Sequence, residues 1–148
     1  MSNRIKIGEI VPAAVKALQT LNLHLESTQL TNTHNELIKI RTSQINGCAY
    51  CIDLHTKDAR KYGETEQRIY LLNAWRETNF YTEEEKAILA LTEEITLISN
   101  GVVSDETYQK AASLFDEKYL SQIILAIISM NALNRIGITA EMKPVLNR

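Results

Sequence analysis

Two thiols and an imidazole that could carry redox or metal chemistry lie in one eight-residue segment, from Cys48 to His55. Cys48, Cys51 and His55 are spaced by three and four residues, so in an α-helix they share one face. We expect them at the start of a helix, where the positive end of the helix dipole stabilises a thiolate. His55 could then take the proton of Cys51, and the two sulfurs could form a disulfide when oxidised.

A fourth candidate, Glu36, follows from the expected arrangement of two helices. Glu36 lies about ten residues before the turn at Gly47, and His55 lies eight residues after it. If the flanking helices form an antiparallel hairpin, residues equally far from the turn lie side by side, roughly 12–15 Å from the bend. A carboxylate beside an imidazole orients the ring and raises its basicity. The predicted site therefore combines Glu36, His55 and Cys51. Cys48 supplies a second thiol.

The spacing of these four residues resembles the active-site pattern of the alkyl hydroperoxidase D and carboxymuconolactone decarboxylase superfamily. The specific match covers residues 36–63, and it includes Arg41-Thr42-Ser43 before the cysteines and Tyr62-Gly63 after them. The resemblance implies one all-helical domain over residues 1–148, a homo-oligomer (trimer or hexamer), and peroxidase activity that needs no cofactor and no metal.

The resemblance also implies roles for the four residues. Cys51 is the thiolate that attacks a hydroperoxide substrate, and Cys48 is the resolving thiol that passes the oxidation to an external dithiol. That reductant is a thioredoxin-like protein or a lipoyl group. His55 and Glu36 form the proton relay.

Tyr50 departs from the pattern of the best-known peroxidase members, which carry a second histidine directly before the second cysteine. A phenol with a pKa of about 10 can hydrogen-bond but is a poor base at neutral pH. We therefore expect Tyr50 to form part of a pocket wall rather than to carry protons. The decarboxylase branch lacks the dithiol, so Cys48 and Cys51 argue against a pure lactone decarboxylase.

Three other interpretations of the same residues stay open. Cys, Cys, His and Glu are all zinc ligands, so a zinc-binding or redox-sensing module is one of them. A second is a non-redox enzyme of the superfamily that acts on a carbon substrate, with His55 or Glu36 as acid–base. The third is two small buried apolar residues in a helix. A c-type haem is excluded, because Ile52 follows the second cysteine where a histidine is needed.

The elements that must position these residues are predicted to be helices. Apolar spacing, caps and glycines indicate six or seven of them, in the ranges 12–26, 27 or 28 to 46, 48–62, 66–75, 83–98, 104–115 and 117–136. Asn46 or Gly47 is expected to cap the helix that carries the cysteines. Thr82 and Glu85 form a capping-box sequence. Gly137 is predicted to end the last helix.

Composition agrees with an all-α domain and excludes several classes of protein. Gly and Pro number seven of 148 residues, about 5% against roughly 12% on average, which disfavours a turn-rich all-β fold. A net charge of −2 disfavours nucleic-acid binding. No glycine cluster could cradle a phosphate. We expect a cytoplasmic protein without a membrane segment, because no apolar run follows the first residues and the stretch Ile123–Ile128 is short.

Several polar residues have no assigned partner in the sequence. Asn131, Asn134 and Arg135 share one face near the end of the apolar last helix, where they could line a pocket, bind across an interface or form a solvated helix end. His24 and His34 have no predicted role. Arg41 could bond inside the site or lie on the surface.

Overall fold

All the regular structure that the computed structural model describes, over residues 4–146, is helical. The eight α-helices of this range are α1 (Ile7–Ile10), α2 (Pro12–Glu26), α3 (Asn32–Asn46), α4 (Ala49–Lys61), α5 (Glu66–Leu71), α6 (Glu83–Thr96), α7 (Asp105–Leu114) and α8 (Glu117–Thr139). Short 3₁₀ turns occupy Leu72–Glu77 and Ile98–Asn100. The predicted all-α class is confirmed.

Helix α3 lies at the centre of the molecule, packed against α4, α6 and α8. It separates two apolar clusters. Ile38 belongs to the first, formed with residues of α2, α6 and α8, whereas Leu37 and Ile40 belong to the second, formed with Leu72 and Trp75. Ile38 and Ile40 have no exposed surface. Burial of α3 on several sides fixes its position, and α3 in turn fixes the position of Glu36.

Two predicted helix ends are confirmed in atomic detail. The Thr82 hydroxyl accepts a hydrogen bond from the Glu85 amide (3.2 Å), and the Glu85 carboxylate accepts one from the Thr82 amide (2.8 Å), which completes the capping box. Gly47 ends α3 with a φ of 72°. This left-handed conformation favours glycine because it carries no Cβ. The chain can therefore reverse directly before Cys48.

The start of α3 differs from the prediction. Helix α3 begins at Asn32, and the hydroxyl of Thr31 accepts the capping hydrogen bond from the His34 amide. The hydroxyls of Ser27 and Thr28 instead donate to carbonyl oxygens in the last turn of α2. Ser and Thr can satisfy backbone groups at either end of a helix, and here these two close α2 rather than open α3.

Gly137 lies inside α8 rather than at its end, so its predicted role as a terminator is wrong. The helix continues to Thr139. A Cβ at position 137 would lie 3.4 Å from the Cys48 sulfur and 3.8 Å from the Cys51 sulfur. The glycine therefore allows the backbone of α8 to approach the two cysteines closely.

Helix α8 is longer than its apolar stretch suggested. The 23-residue helix is long and apolar enough to cross a membrane, judged by length and composition alone. Half of its most apolar stretch is buried inside the protein. A helix at the centre of a protein core passes the same test.

Candidate active site at the start of helix α4

The two cysteines lie at the first turn of α4, as expected from the sequence. Cys48 is the N-cap residue, in place of the expected Asn46 or Gly47, and Cys51 follows within the first turn. The two form a disulfide whose Cα atoms are 5.3 Å apart. Cys48 is 2% exposed and Cys51 is 5% exposed. The pair is therefore in its oxidised form and almost fully enclosed.

The contact between Glu36 and His55 is also present. Helices α3 and α4 pack as a hairpin about Gly47, and a carboxylate oxygen of Glu36 lies 3.0 Å from Nδ1 of His55. Both side chains are buried. The carboxylate fixes the orientation of the ring and leaves Nε2 as the nitrogen available for other partners. Geometry thus joins Glu36 to His55, while their catalytic roles stay predictions.

Lys39 is a functional candidate that sequence reasoning missed. Its ammonium lies 3.0 Å from the other oxygen of Glu36 and 2.9 Å from a carboxylate oxygen of Glu26, at the end of α2. The side chain is 3% exposed. Burial lowers the pKa of Lys39, but the charge of Glu36 and the hydrogen bonds to both carboxylates outweigh it, so the pKa lies above its ordinary value. Lys39 therefore stays charged and neutralises the buried Glu36.

A cavity of about 630 Å³ opens above the disulfide, between α1, α2, α4 and α8. Cys51 and His55 both line it, whereas Cys48 and Glu36 do not. Most of the remaining wall is apolar, including Leu54 and Met130. A molecule in this cavity would contact both Cys51 and His55. Glu36 would act only through His55.

The immediate surroundings of the disulfide are apolar and closely packed. Met130 belongs to the same buried cluster as the two cysteines, and Tyr50 packs against it while also lining the cavity. Tyr50 is thus placed in the cavity wall. The Cβ position of Gly137 lies within 4 Å of both cysteine sulfurs and of the Met142 sulfur. Cys48 is enclosed by these groups.

A network of amides holds the turn that carries the cysteines. The Asn46 side chain donates hydrogen bonds to the side-chain oxygens of Asn131 and Asn134, each at 3.0 Å. Asn134, which has no exposed surface, donates to the hydroxyl of Ser43 (3.0 Å). Three polar side chains in an apolar helix were the signal for this network, but their partners on α3 could not be identified from α8 alone.

The zinc interpretation finds limited support in the geometry. Among residues 4–146, the one group of three His, Cys, Asp or Glu side chains close enough to hold a metal is Glu36, His55 and Asp58. The ammonium groups of Lys39 and Lys61 already pair with Glu36 and Asp58. These cations compete with a metal ion for the same oxygens, and the two cysteines, joined in a disulfide, are not part of the group.

The remaining polar candidates lie away from the cysteines. His34 bonds to the hydroxyl of Tyr119 (2.8 Å), and burial lowers its pKa. His24 is exposed near the end of α2. Arg41 donates to Glu93 (2.8 Å) on α6. None of the three lines the cavity above Cys51.

A sequence profile of the carboxymuconolactone decarboxylase family matches residues 12–94, more than half of the chain. The chain belongs to this family. As a member of the carboxymuconolactone decarboxylase family, it carries all four candidate residues inside the matched range.

Two relatives match nearly the whole chain in sequence. YdfG of Bacillus subtilis strain 168, an uncharacterized protein, is 49% identical over 138 residues, which cover 93% of this chain and 94% of YdfG. ATU0492 of Agrobacterium tumefaciens is a protein of unknown function proposed to be the antioxidant defence protein AhpD. Its crystal structure has a TM-score of 0.93 and 35% identity, and the match covers 98% of this chain and 100% of ATU0492.

A more distant structure shares the fold. The alkylhydroperoxidase AhpD core of an uncharacterized peroxidase-related protein from Ralstonia eutropha JMP134 has a TM-score of 0.79 and 20% identity. The match covers 90% of this chain and 72% of that one. This carboxymuconolactone decarboxylase family member therefore has an AhpD-like fold.

Proposed function

We propose that the protein is a thiol-dependent alkyl hydroperoxide reductase that serves antioxidant defence. The observation that carries the proposal is the shared cavity wall, in which Cys51 and His55 line one largely apolar space, while Cys48, which is bonded to Cys51, does not line it. A substrate admitted to this space reaches a nucleophile and a proton carrier at once. Family membership and the AhpD-like fold support the same activity.

The reaction begins with the reduced pair. His55, held by Glu36, takes the proton of Cys51, and the thiolate attacks the O–O bond of the hydroperoxide. Cys51 becomes a sulfenic acid, and the leaving alkoxide takes the proton from His55 to give an alcohol. The thiol of Cys48 then displaces water from the sulfenic acid, which forms the disulfide. An external dithiol, thioredoxin-like or lipoyl, reduces this disulfide and is itself oxidised.

The proposal includes the setting of this cycle. A disulfide that must be reduced again in every turnover needs a reducing compartment, so we place the protein in the cytoplasm. We also propose a homo-oligomer, a trimer or hexamer. The protein's own residues supply both the nucleophile and the proton relay, so the chemistry as proposed requires no metal and no organic cofactor.

Thiol titration tests the peroxidase activity directly. The fully reduced protein is treated with one equivalent of cumene hydroperoxide, and free thiols are counted before and after. We expect two thiols to fall to none, with a Cys48–Cys51 disulfide detected by mass spectrometry and one equivalent of alcohol released. Cys51→Ser should consume no peroxide. Cys48→Ser should stop at the sulfenic acid, which a dimedone probe traps.

Other results would support a different function. Survival of both thiols in a large excess of hydroperoxide would contradict a peroxidase. Bound zinc in the purified protein, together with unfolding on chelation, would indicate a zinc-binding module. Activity on a carbon substrate that persists in a Cys48→Ala, Cys51→Ala double variant would indicate acid–base chemistry by His55 or Glu36.

A further inference from the structure

Helix α8 separates two cavities that lie on its opposite faces. Met130, Leu133 and Gly137 face the cavity above Cys51. A second row, spaced by four, three and four residues, lies on the far side of the helix and consists of Ile124, Ile128, Asn131 and Arg135. The second row lines a groove of about 500 Å³ that shares no residue with the cysteine cavity. The proposed peroxidase reaction does not use this groove.

The groove is apolar along most of its length. Its floor includes Leu91, which has no exposed surface, and Ile124. Its rim carries large apolar side chains that are unusually open to solvent, namely Ile98 (60% exposed), Ile128 (48%) and Tyr108 (42%). Exposed apolar surface gathered around a concave groove is typical of a binding site.

One end of the groove carries a positive charge. Arg135 donates two hydrogen bonds from one guanidinium nitrogen to Asn131, at 2.9 Å to the backbone oxygen and 3.0 Å to the side-chain oxygen. Asn131 is itself held by Asn46 and Thr96. Within residues 4–146, no carboxylate lies in ion-pair range of Arg135. The guanidinium is therefore oriented by the protein, and its charge is not neutralised there.

We propose that this groove binds an aliphatic carboxylate of medium chain length. The hydrocarbon tail would lie along Ile124 and Ile128, and the carboxylate would pair with Arg135. The row on α8 from Ile124 to Arg135 spans roughly 16 Å at ~1.5 Å per residue. That length, with a volume in the range of small-molecule sites, suits on the order of eight to twelve carbons.

Charge favours this ligand over a second copy of the chain. An apolar trough that ends at one unneutralised cation matches an apolar chain that ends in one anion. Arginine is well suited to such a headgroup, because its planar fork can bind both oxygens of a carboxylate.

Isoleucine methyl NMR of the oxidised protein, titrated with octanoate, tests the proposal. We expect shifts at Ile95, Ile98, Ile124 and Ile128, which line the groove, and none at Ile7 and Ile136, which line the cysteine cavity. 1-Octanol has the same chain without the charge, so it should bind to the same methyl groups more weakly. The titration should extend to about 10 mM, since so small a ligand gains limited binding free energy.

Two variants separate the charge from the apolar trough. Arg135→Gln should weaken octanoate binding about tenfold or more and leave octanol binding unchanged. Ile128→Gln, at a half-exposed position, should weaken both ligands. Lys118→Gln is the matched control, because it removes a positive charge from the same helix outside the groove, and it should change neither affinity.

Three results would overturn the proposal. The first is octanoate binding that is equal in the wild type and Arg135→Gln. The second is a set of shifts confined to the cysteine cavity. The third is no binding of octanoate, combined with a smaller oligomer for Ile128→Gln in light scattering, since a second copy would then occupy the groove.

Discussion

The Glu36 carboxylate is shared between two partners, one oxygen bonding to His55 and the other to Lys39. The first contact orients the proposed proton carrier, and the second neutralises a charge that would otherwise be buried alone. The two contacts should therefore matter for different properties. Weakening the contact with His55 should lower the rate of the reaction, and removing Lys39 should lower the stability of the fold.

Glu36→Gln should slow the oxidation of the thiols by hydroperoxide about 100-fold, because general acid–base catalysis typically contributes at least that much. The rate is measured by stopped-flow loss of free thiols at neutral pH. Glu26→Gln is the control. It loses the same charge and also contacts Lys39, but it does not contact His55, so it should retain the wild-type rate. Equal rates for Glu36→Gln and the wild type would remove Glu36 from the relay.

Lys39→Met should lower the free energy of unfolding by about 2–4 kcal/mol at pH 7, because it leaves the Glu36 carboxylate buried without a counter-ion. Urea denaturation measures the change. The double variant Lys39→Met, Glu36→Gln removes both charges and should recover part of the loss. A double variant less stable than Lys39→Met alone would contradict the ion-pair explanation.

The raised pKa of Lys39 also determines the pH range in which this stabilisation is lost. A lysine whose pKa is higher in the folded than in the unfolded protein stabilises the fold fully below the unfolded value. The contribution disappears only as the pH rises through the folded value. The stability difference between the wild type and Lys39→Met should therefore be constant at neutral pH and shrink only in the strongly alkaline range.

Sequence reasoning found one partner of Glu36 and missed the other for a physical reason. The contact with His55 follows from equal distances to one sharp turn, which the sequence marks with Asn46-Gly47. The contact with Lys39 depends on a lysine being buried, and lysines are almost never fully buried. Its burial depends on α2 ending beside α3, which no local pattern predicts.

At the scale of helices, Glu93 joins three elements through one carboxylate. Trp75 donates to it from the 3₁₀ turn (2.9 Å) and Arg41 donates from α3 (2.8 Å), with a further ion pair to Arg76. Burial raises the pKa of Glu93, but these hydrogen bonds and charges outweigh it and hold the pKa below its ordinary value. The cysteine hairpin is thereby tied to α6 by a group that titrates in acid.

Glu93→Gln should lower the free energy of unfolding by about 1–2 kcal/mol at pH 7. Because the pKa of Glu93 is lower in the folded protein, its stabilising effect is complete above the ordinary glutamate value of about 4.3 and is lost as the pH falls below it. Urea denaturation at several pH values should therefore show the wild type and the variant converging in acid. A difference that is constant from pH 7 to pH 3 would contradict this assignment.

Helix ends show which features of the fold can be predicted from neighbouring residues alone. The capping box of Thr82 and the turn at Gly47 depend only on neighbouring residues, so both were predictable. Ser27 and Thr28 were ambiguous, because the same hydroxyls suit the end of one helix and the start of the next. The role of Gly137 was predicted wrongly, because the contact that favours a glycine there is made by a residue distant in sequence. That residue is Cys48, whose sulfur approaches α8.

For the whole molecule, the apolar clusters that hold the helices together lie apart from the disulfide. The two larger clusters draw their residues from α2 to α8 and contain neither cysteine. The disulfide joins residues only three apart in sequence. A crosslink that closes so short a loop constrains the unfolded chain little.

Reduction of the disulfide should therefore leave the fold intact and lower the free energy of unfolding by about 2 kcal/mol or less. Urea denaturation followed by circular dichroism, with and without a phosphine reductant, measures the difference. The Cys48→Ser, Cys51→Ser variant controls for effects of the reductant, and its stability should not respond to it. Loss of the cooperative transition on reduction would show that the disulfide holds the fold.

The cavities are the feature least accessible from sequence. The space above Cys51 is enclosed by four helices, from α1 near the start of the described range to α8 near its end. Individual lining residues look like ordinary core or surface positions. The polar row on α8 was visible in the sequence, but that Arg135 faces a groove while Asn134 is buried against Ser43 depends on the packing of α8 against α3 and α6.

The wall between the two cavities is a single helix, and Asn131 on its groove side bonds to Asn46, two residues before Cys48. This arrangement allows the coupling between ligand binding in the groove and the redox state of the cysteines to be measured. Any difference in groove affinity between the dithiol and disulfide forms must appear as an equal free-energy change in the redox equilibrium of the cysteines. A tenfold difference in affinity corresponds to about 30 mV in midpoint potential. The potential measured with and without saturating octanoate would thus report how strongly α8 couples its two faces.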